Sequence, residues 1–574
     1  MGYKFKLISR NAIVNFSEEY CQTSIELINS RGFNQVIAAF VQYKKKLDDI
    51  TYRYLKASTH NERQIVSDLK TIAKLLLVMD ADEVTSNYPN LRPYLKSRRT
   101  FLNIIEEFYL FWRRYERYAI VYDDKDERGI QSVQFTDAIV KFENLVLSTY
   151  RRIQEAGMRK ENKVYRQITA GVNAGIIASR QIIALPKEYS NLDDVPVITQ
   201  TVICPPFITY TKKNTRNGFF DEIDYNPLED YKFDRESWLC YPAKVGDSLA
   251  FVYFNMKYMS QGITLSNLFE MASEDDYRGK KPDLIYVYGY EDGRENRFFY
   301  HDKKNDMMVG LVSASNEFDY FGYMKKMILT LHNVRKINEG QVPVHGAMVR
   351  ITLRSGDVKN IIVMGDSGAG KSETVEQIKS LGTDDIIDLK TVYDDMGYLF
   401  IEDGKVKSSG TEIGAFVRLD DLGTGYGYKE IDRSVFMNPD KVNARIVTPV
   451  TDYTEVVAHH HIDYFLYANN YEEGKDGSLE FFDTVREALP IFKRGYRMAK
   501  GTTTETGLVG SYFANPFGPV QRREQADPLI DEYFEKMSAQ GVKIGQIHTC
   551  LGVKGMEHDG PQKAAAALLA EITK

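Results

Sequence analysis

A chain of 574 residues is too long for one hydrophobic core and is expected to divide into two or three domains. With 43% hydrophobic and 27% charged residues it has an ordinary globular composition. The net charge of -6, with no long basic block, argues against nucleic acid as a partner.

The first twenty residues lack an apolar core with a small-residue cleavage site, and Lys6 stands where a myristoylation signal requires Ser or Thr. No uncharged apolar run approaches membrane-spanning length. The four cysteines, Cys21, Cys204, Cys240 and Cys550, make no C-x-x-C spacing, so neither a disulfide framework nor a structural zinc site is expected. From these features a cytoplasmic protein with no membrane partner is expected.

From residue 17 to 183 the pattern is helical. "NERQIVSDLKTIAKLLLVMDADEV", "RTFLNIIEEFYLFWRRYERYAIV" and "FTDAIVKFENLVLSTYRRIQEAG" repeat apolar residues every three or four positions, with few prolines. Residues 1–190 are therefore expected to form an all-helical domain, a packing or oligomerisation module. Beyond it, "VPVITQTVI", "SLAFVYF" and "DLIYVYGY" read as strands among helices, which makes 191–335 an α/β lobe. A third section, 336–574, opens with two β-rich runs that lead into a glycine loop and a helix from Ser372. It closes with a helix, a strand, a glycine turn and a final helix.

The loop, "GDSGAGKSE", fits G-x-x-x-x-G-K-[ST] without a mismatch. Gly365, Asp366, Ser367, Gly368, Ala369 and Gly370 supply the turn, with Lys371, Ser372 and Glu373 completing the nucleotide-binding stretch, and the helix that follows from Ser372 adds its positive end. Lys371 reaches the outer phosphates of a nucleotide and Ser372 ligates a divalent metal. "DLKTVYDDMGYLF" supplies Asp394 and Asp395, one carboxylate for a metal and the other to orient a nucleophile or act as base. The run His459 to His461 alternates between the faces of a strand, so only His459 and His461 could converge, and its role is expected to be structural.

"VPVHGAMVRITLRSGDVKNIIVMGDSGAGKSE" resembles the kinase core shared by phosphoenolpyruvate carboxykinases and HPr kinase/phosphorylases, with a histidine, here His345, on the strand before the loop strand. "FDYFGYMKKMILTLHN" and "KPDLIYVYGY" resemble carboxykinase segments, and "NARIVTPV" and "GTTTETGLVGSYFANPFG" resemble them more weakly. The resemblance covers residues 200 to 574. It implies a two-lobed carboxykinase-like P-loop fold of the α/β (α+β) class behind the helical domain. It also implies ATP, Mg²⁺ and Mn²⁺ as cofactors, with Lys326, His345 and Asp395 on Mn²⁺ and Ser372 on Mg²⁺. Lys326, Lys371, Asp394, Asp395 and Arg445 become the catalytic residues, Arg445 through contact with the transferring phosphoryl group. A lysine binds metal only when neutral, which burial and neighbouring cations achieve.

The implied activity is conversion of oxaloacetate to phosphoenolpyruvate and CO₂ with ATP, on a small-molecule substrate. The carboxykinase stretch whose arginine holds the substrate carboxylate has no clear counterpart. "ITYTKKNTRNGFF" offers Arg216, or Lys212 and Lys213, with Lys325 as a further substrate candidate. The alternative is an HPr-kinase-like enzyme that phosphorylates a hydroxyl, with Asp394 or Asp395 as base.

Overall fold

The computed structural model describes residues 2–123, 132–158, 168–366, 368–382, 384–419, 426–475, 477–499 and 506–574. Ser367 of the glycine loop lies outside the described residues. The chain is mixed α/β and divides into two compact units, Met1–Arg180 with Pro196–Cys204, and Gln181–Val195 with Pro205–Lys574. Among the described residues, no helix is long and apolar enough to cross a membrane.

The first unit corrects the expectation of an all-helical domain. Strands Phe5–Ile8, Asn11–Asn15, Glu116–Tyr122, Ala174–Ser179 and Val197–Ile203 follow one another in a sheet whose three middle strands run parallel. Glu116–Tyr122 was hidden in a run that reads as one long helix. It is buried on both faces, so it lacks period-two alternation, and it follows within three residues of the Arg98–Arg113 helix. Helices Arg31–Leu47, Glu62–Leu75 and Arg98–Arg113 begin where Ser30, Asn61 and Ser97 side chains accept from the first free backbone N–H groups. Their apolar stripes meet in a core built from Ile37, Phe40, Ile65, Leu69, Ile72, Phe101 and Ile104. Each such side chain contributes about 1.5–3 kcal/mol by leaving water.

The second unit contains two large sheets. In one, Trp238–Val245 pairs with Ser248–Asn255, which runs parallel to Leu284–Tyr290 and then Met307–Ser313, with Arg297–Asp302 antiparallel beyond. In the other, Val342–Leu353 pairs with Val358–Met364, Ile386–Tyr393 and Met396–Glu402, and the sheet continues through Tyr464–Asn469 to Lys543–His548. Alternate residues of these strands enter two different cores. Ile361, Val363, Leu466 and Ala468 pack on the Lys371–Leu381 and Asp559–Ile572 helices, whereas Ile362, Met364, Phe465 and Tyr467 face Val485–Arg494 and Arg523–Ala539.

The helix Phe321–Asn338 packs on Leu284–Tyr290 and Met307–Ser313 of the first of these sheets and on Val342–Leu353 and Met396–Glu402 of the second. It is buried nearly all round, including its polar residues Lys325, His332 and Asn333. Two consecutive lysines are thereby delivered to the centre of the unit.

Candidate active site at the glycine loop

Strand Val358–Met364 ends at Gly365, and the helix Lys371–Leu381 starts directly after Gly370. Gly368 and Gly370 have φ of +79° and +92°, and a Cβ on Gly370 would lie 2.6 Å from Thr549 Oγ1. Side chains hold the loop carbonyls from outside. Asn470 Nδ2 donates to Gly368 O at 2.8 Å, Thr549 Oγ1 to Ala369 O at 2.7 Å, and Thr374 Oγ1 to Gly370 O at 2.7 Å. Backbone N–H groups and the helix end are left to meet an anion. Lys371 lies across the loop, with Nζ donating to Gly365 O at 2.6 Å and Asp366 O at 3.2 Å. Glu373 stands in the first helical turn.

Asp394 and Asp395 occupy the turn between Ile386–Tyr393 and Met396–Glu402, where their carboxylates take different partners. Asp394 Oδ1 accepts from Ser372 Oγ at 3.1 Å, joining the metal-type serine of the loop to the acidic pair. Asp395 Oδ2 receives Lys325 Nζ at 2.6 Å and Lys326 Nζ at 2.7 Å, and its Oδ1 lies 2.9 Å from His345 Nε2. His345 also reaches back to the loop, with Nδ1 3.4 Å from Asp366 Oδ1, while Asp366 Oδ2 accepts from Arg497 Nε at 3.0 Å. One network of side chains thus ties loop, acidic turn, histidine strand and central helix together.

The electrostatics separate the roles. Burial raises Asp395, but the ammoniums of Lys325 and Lys326 outweigh it and hold the carboxyl well below its usual range. Burial and repulsion from Asp395 push Asp394 up to about 6, against the pull of Lys371 and Ser372. Burial brings Lys326 down to about 8, with Asp395 opposing and Lys325 assisting. Burial pulls Lys325 the same way, yet Asp395 and Glu412 together hold it above the ordinary lysine value. Burial, then Lys371, lowers His345, which is neutral at pH 7.

A neutral His345 that donates Nδ1–H to Ala514 O, 2.9 Å away, turns its Nε2 lone pair toward Asp395 Oδ1. Two acceptor atoms then face each other, with a lysine of lowered proton affinity on the other carboxylate oxygen. This N,N,O donor set suits a divalent cation such as Mn²⁺, with Ser372 and Asp394 beside it for a second ion. Among the described residues no three His, Cys, Asp or Glu side chains form a metal-type cluster.

Two arginines reach the site through shared aromatic rings. Arg445 lies 5.2 Å over Phe416, whose ring also carries Lys325 Nζ at 5.7 Å. Arg216 lies 5.0 Å over Phe517, which also carries Lys326 Nζ at 4.6 Å. Lys325 itself is 0% exposed and paired to two carboxylates, so it supports Asp395 from the enclosed side. The histidine run stands apart, ahead of the strand that begins at Tyr464. His459 pairs with Glu402, His460 with Glu455, and His461 with Asp463 and Asn360. Glu412 and Arg497 were missed in the sequence. Glu412 had only the weak signal of a lone acid among small and apolar residues in "SSGTEIGAF", and Arg497 had none. No family model matches the chain, and no curated protein matches it.

Proposed function

We propose that this chain is an ATP- and divalent-metal-dependent enzyme of phosphoenolpyruvate carboxykinase type, with the two-lobed fold of that family in its second unit. Oxaloacetate loses CO₂, the electrons of the broken C–C bond form an enolate, and the enolate oxygen takes the γ-phosphoryl group of ATP, with ADP leaving. The observation that carries this reading is the convergence of Lys326, His345 and Asp395, joined through Asp394 and Ser372 to the phosphate loop. Lys326, His345 and Asp395 would hold Mn²⁺ and Ser372 would hold Mg²⁺ with ATP; bound there, the two ions would supply positive charge to the developing oxyanion and the phosphoryl oxygens.

The chain's own groups do the remaining work. Backbone N–H groups of the loop and Lys371 grip the phosphates, and Arg445 neutralises charge on the group in flight. Lys325 and Glu412 fix the orientation of Asp395 from behind. Arg216, held against Phe517 beside Lys326, takes the substrate carboxylate. The test is a coupled assay with oxaloacetate, ATP, Mg²⁺ and Mn²⁺ that monitors phosphoenolpyruvate. Formation that is abolished by Lys371→Ala and by Lys326→Ala supports the reading. ATP turnover without phosphoenolpyruvate overturns it.

One observation favours a second reading, a kinase that phosphorylates a hydroxyl. Asp394, pushed up to about 6, is a base matched to neutral pH. That reading requires phosphoryl transfer to a hydroxyl compound or protein, lost on Asp394→Asn.

A further inference from the structure

We propose that the first unit contains an internal binding site for a small apolar molecule, a hydrocarbon ring or short alkyl chain. The site is a partly open cavity of about 120 Å³ lined by residues that include Phe5 and Val14 of two strands and side chains of the four helices Arg31–Leu47, Glu62–Leu75, Arg98–Arg113 and Ser132–Met158. Its wall is made chiefly of aromatic and aliphatic side chains, among them Phe33, Phe40, Ile104, Phe108, Trp112 and Phe142. Close-packed interiors leave few voids larger than a water molecule, because lining atoms without a neighbour forfeit their dispersion contacts. A space of this size in the middle of a capped, well-packed helical layer is therefore a feature to be explained.

The polar groups on the wall exclude water and charged ligands as its natural contents. Ser30 Oγ donates to Leu27 O at 2.7 Å, Thr149 Oγ1 to Leu145 O at 2.7 Å, Trp112 Nε1 to Ala170 O at 2.8 Å and Tyr109 OH to Ile168 O at 3.3 Å, and Tyr150 OH donates to Glu106. The lysine and the carboxylate on the wall, Lys4 and Glu19, pair with each other at 3.6 Å. A buried water needs two to four polar partners, and these groups are already engaged. An apolar cavity of about 150 Å³ stays dry and takes benzene or xenon, so the volume here fits a ring or chain of that size. The Lys4 side chain is 47% exposed, so the Lys4–Glu19 pair is a part of the wall that solvent reaches. A hydrocarbon group entering beside that pair gains contact on every side and leaves no hydrogen bond broken.

This inference concerns the first unit alone and stands or falls independently of the carboxykinase reading. The test uses the full chain with benzene and xenon as probes. Wild-type protein and the surface control Val140→Leu are expected to show a saturable ¹²⁹Xe shift that benzene displaces, and a melting temperature that rises with benzene. The filling variants Ala73→Leu and Val36→Met, checked for folding by circular dichroism, are expected to lose at least tenfold in affinity. Crystals pressurised with xenon give a readout that needs no variant, with an atom expected between Phe33, Ile104 and Phe108. The proposal is overturned if the wild type gives no saturable signal, if xenon settles elsewhere, or if a folded filling variant binds as well as the wild type.

Discussion

Lys325 and Lys326, neighbours on one helix, both reach the same oxygen of Asp395, at 2.6 and 2.7 Å, yet their proton affinities move in opposite directions. Lys325 is a fixed cation between two carboxylates, and Lys326 is the one that can give up its proton. Lys326→Ala is therefore expected to leave the denaturation midpoint nearly unchanged while weakening Mn²⁺ binding at least about tenfold, read by calorimetry. Lys325→Met strands the buried Glu412, leaves Asp395 with Lys326 alone, and is expected to destabilise the second unit by about 3–5 kcal/mol in denaturant titrations. Equal stability losses for the two variants would refute the division of roles.

Gly370 tests the loop without touching a charge. Its φ of +92° and the 2.6 Å approach to Thr549 Oγ1 leave no room for a side chain. Gly370→Ala is expected to lower ATP affinity at least about tenfold, since strain of about 1–3 kcal/mol falls on the anion-binding backbone. Gly356, in a β-turn with open space around it, serves as the control. Fluorescent nucleotide titration measures both.

Arg216 separates the two chemistries. With a carboxylate substrate, Arg216→Ala is expected to raise KM for oxaloacetate about 10- to 100-fold, the value of a charged hydrogen bond, with KM for ATP unchanged. Parallel rises in both constants would assign the arginine to the nucleotide instead.

His332 makes the central helix acid-sensitive. Burial, then the Lys336 ammonium, lowers it to about 3, against Asp247 and Asn333, with Arg335 adding to the decrease. Its Nδ1–H donates to Asn333 Oδ1 at 3.3 Å. The unfolded chain takes up this proton near pH 6.5 and the folded protein does not, so stability is complete above pH 6.5 and falls as pH drops toward 3. The slope contributed by one such group is about 1.4 kcal/mol per pH unit. Asp247, whose pKa is lowered, costs stability only below its ordinary value of 3.8. The difference in urea midpoint between the wild type and His332→Asn, which removes the opposing carboxyl contributions common to both, is expected to move against the wild type as pH falls from 7 to 4.

The sequence reveals the parts of this site that are local. Two β-rich runs, a glycine loop and a helix mark the phosphate end, and the helix begins at Lys371, one residue before the expected Ser372. The pairing of Lys326, His345 and Asp395 was legible only through resemblance, because nothing in the local pattern makes a helical lysine meet a turn carboxylate. Arg497 was invisible for the same reason, since it meets Asp366 across 131 residues. In the first unit the parallel strands defeated periodicity. Glu116–Tyr122 is buried on both faces and therefore reads as a continuation of the amphipathic helix before it.

The position of Phe321–Asn338 between two sheets also limits how this protein can be divided. A fragment beginning near residue 340 would retain the glycine loop and the acidic turn, and its length would suggest an autonomous nucleotide-binding half. It would lack both lysines that neutralise Asp395, and it would open to water the face of the Val342–Leu353 sheet that the helix covers. The helix packs on the sheet that precedes it in the chain as well as on the sheet that follows it. The smallest piece expected to fold with a working centre therefore begins well upstream of the motif that announces it.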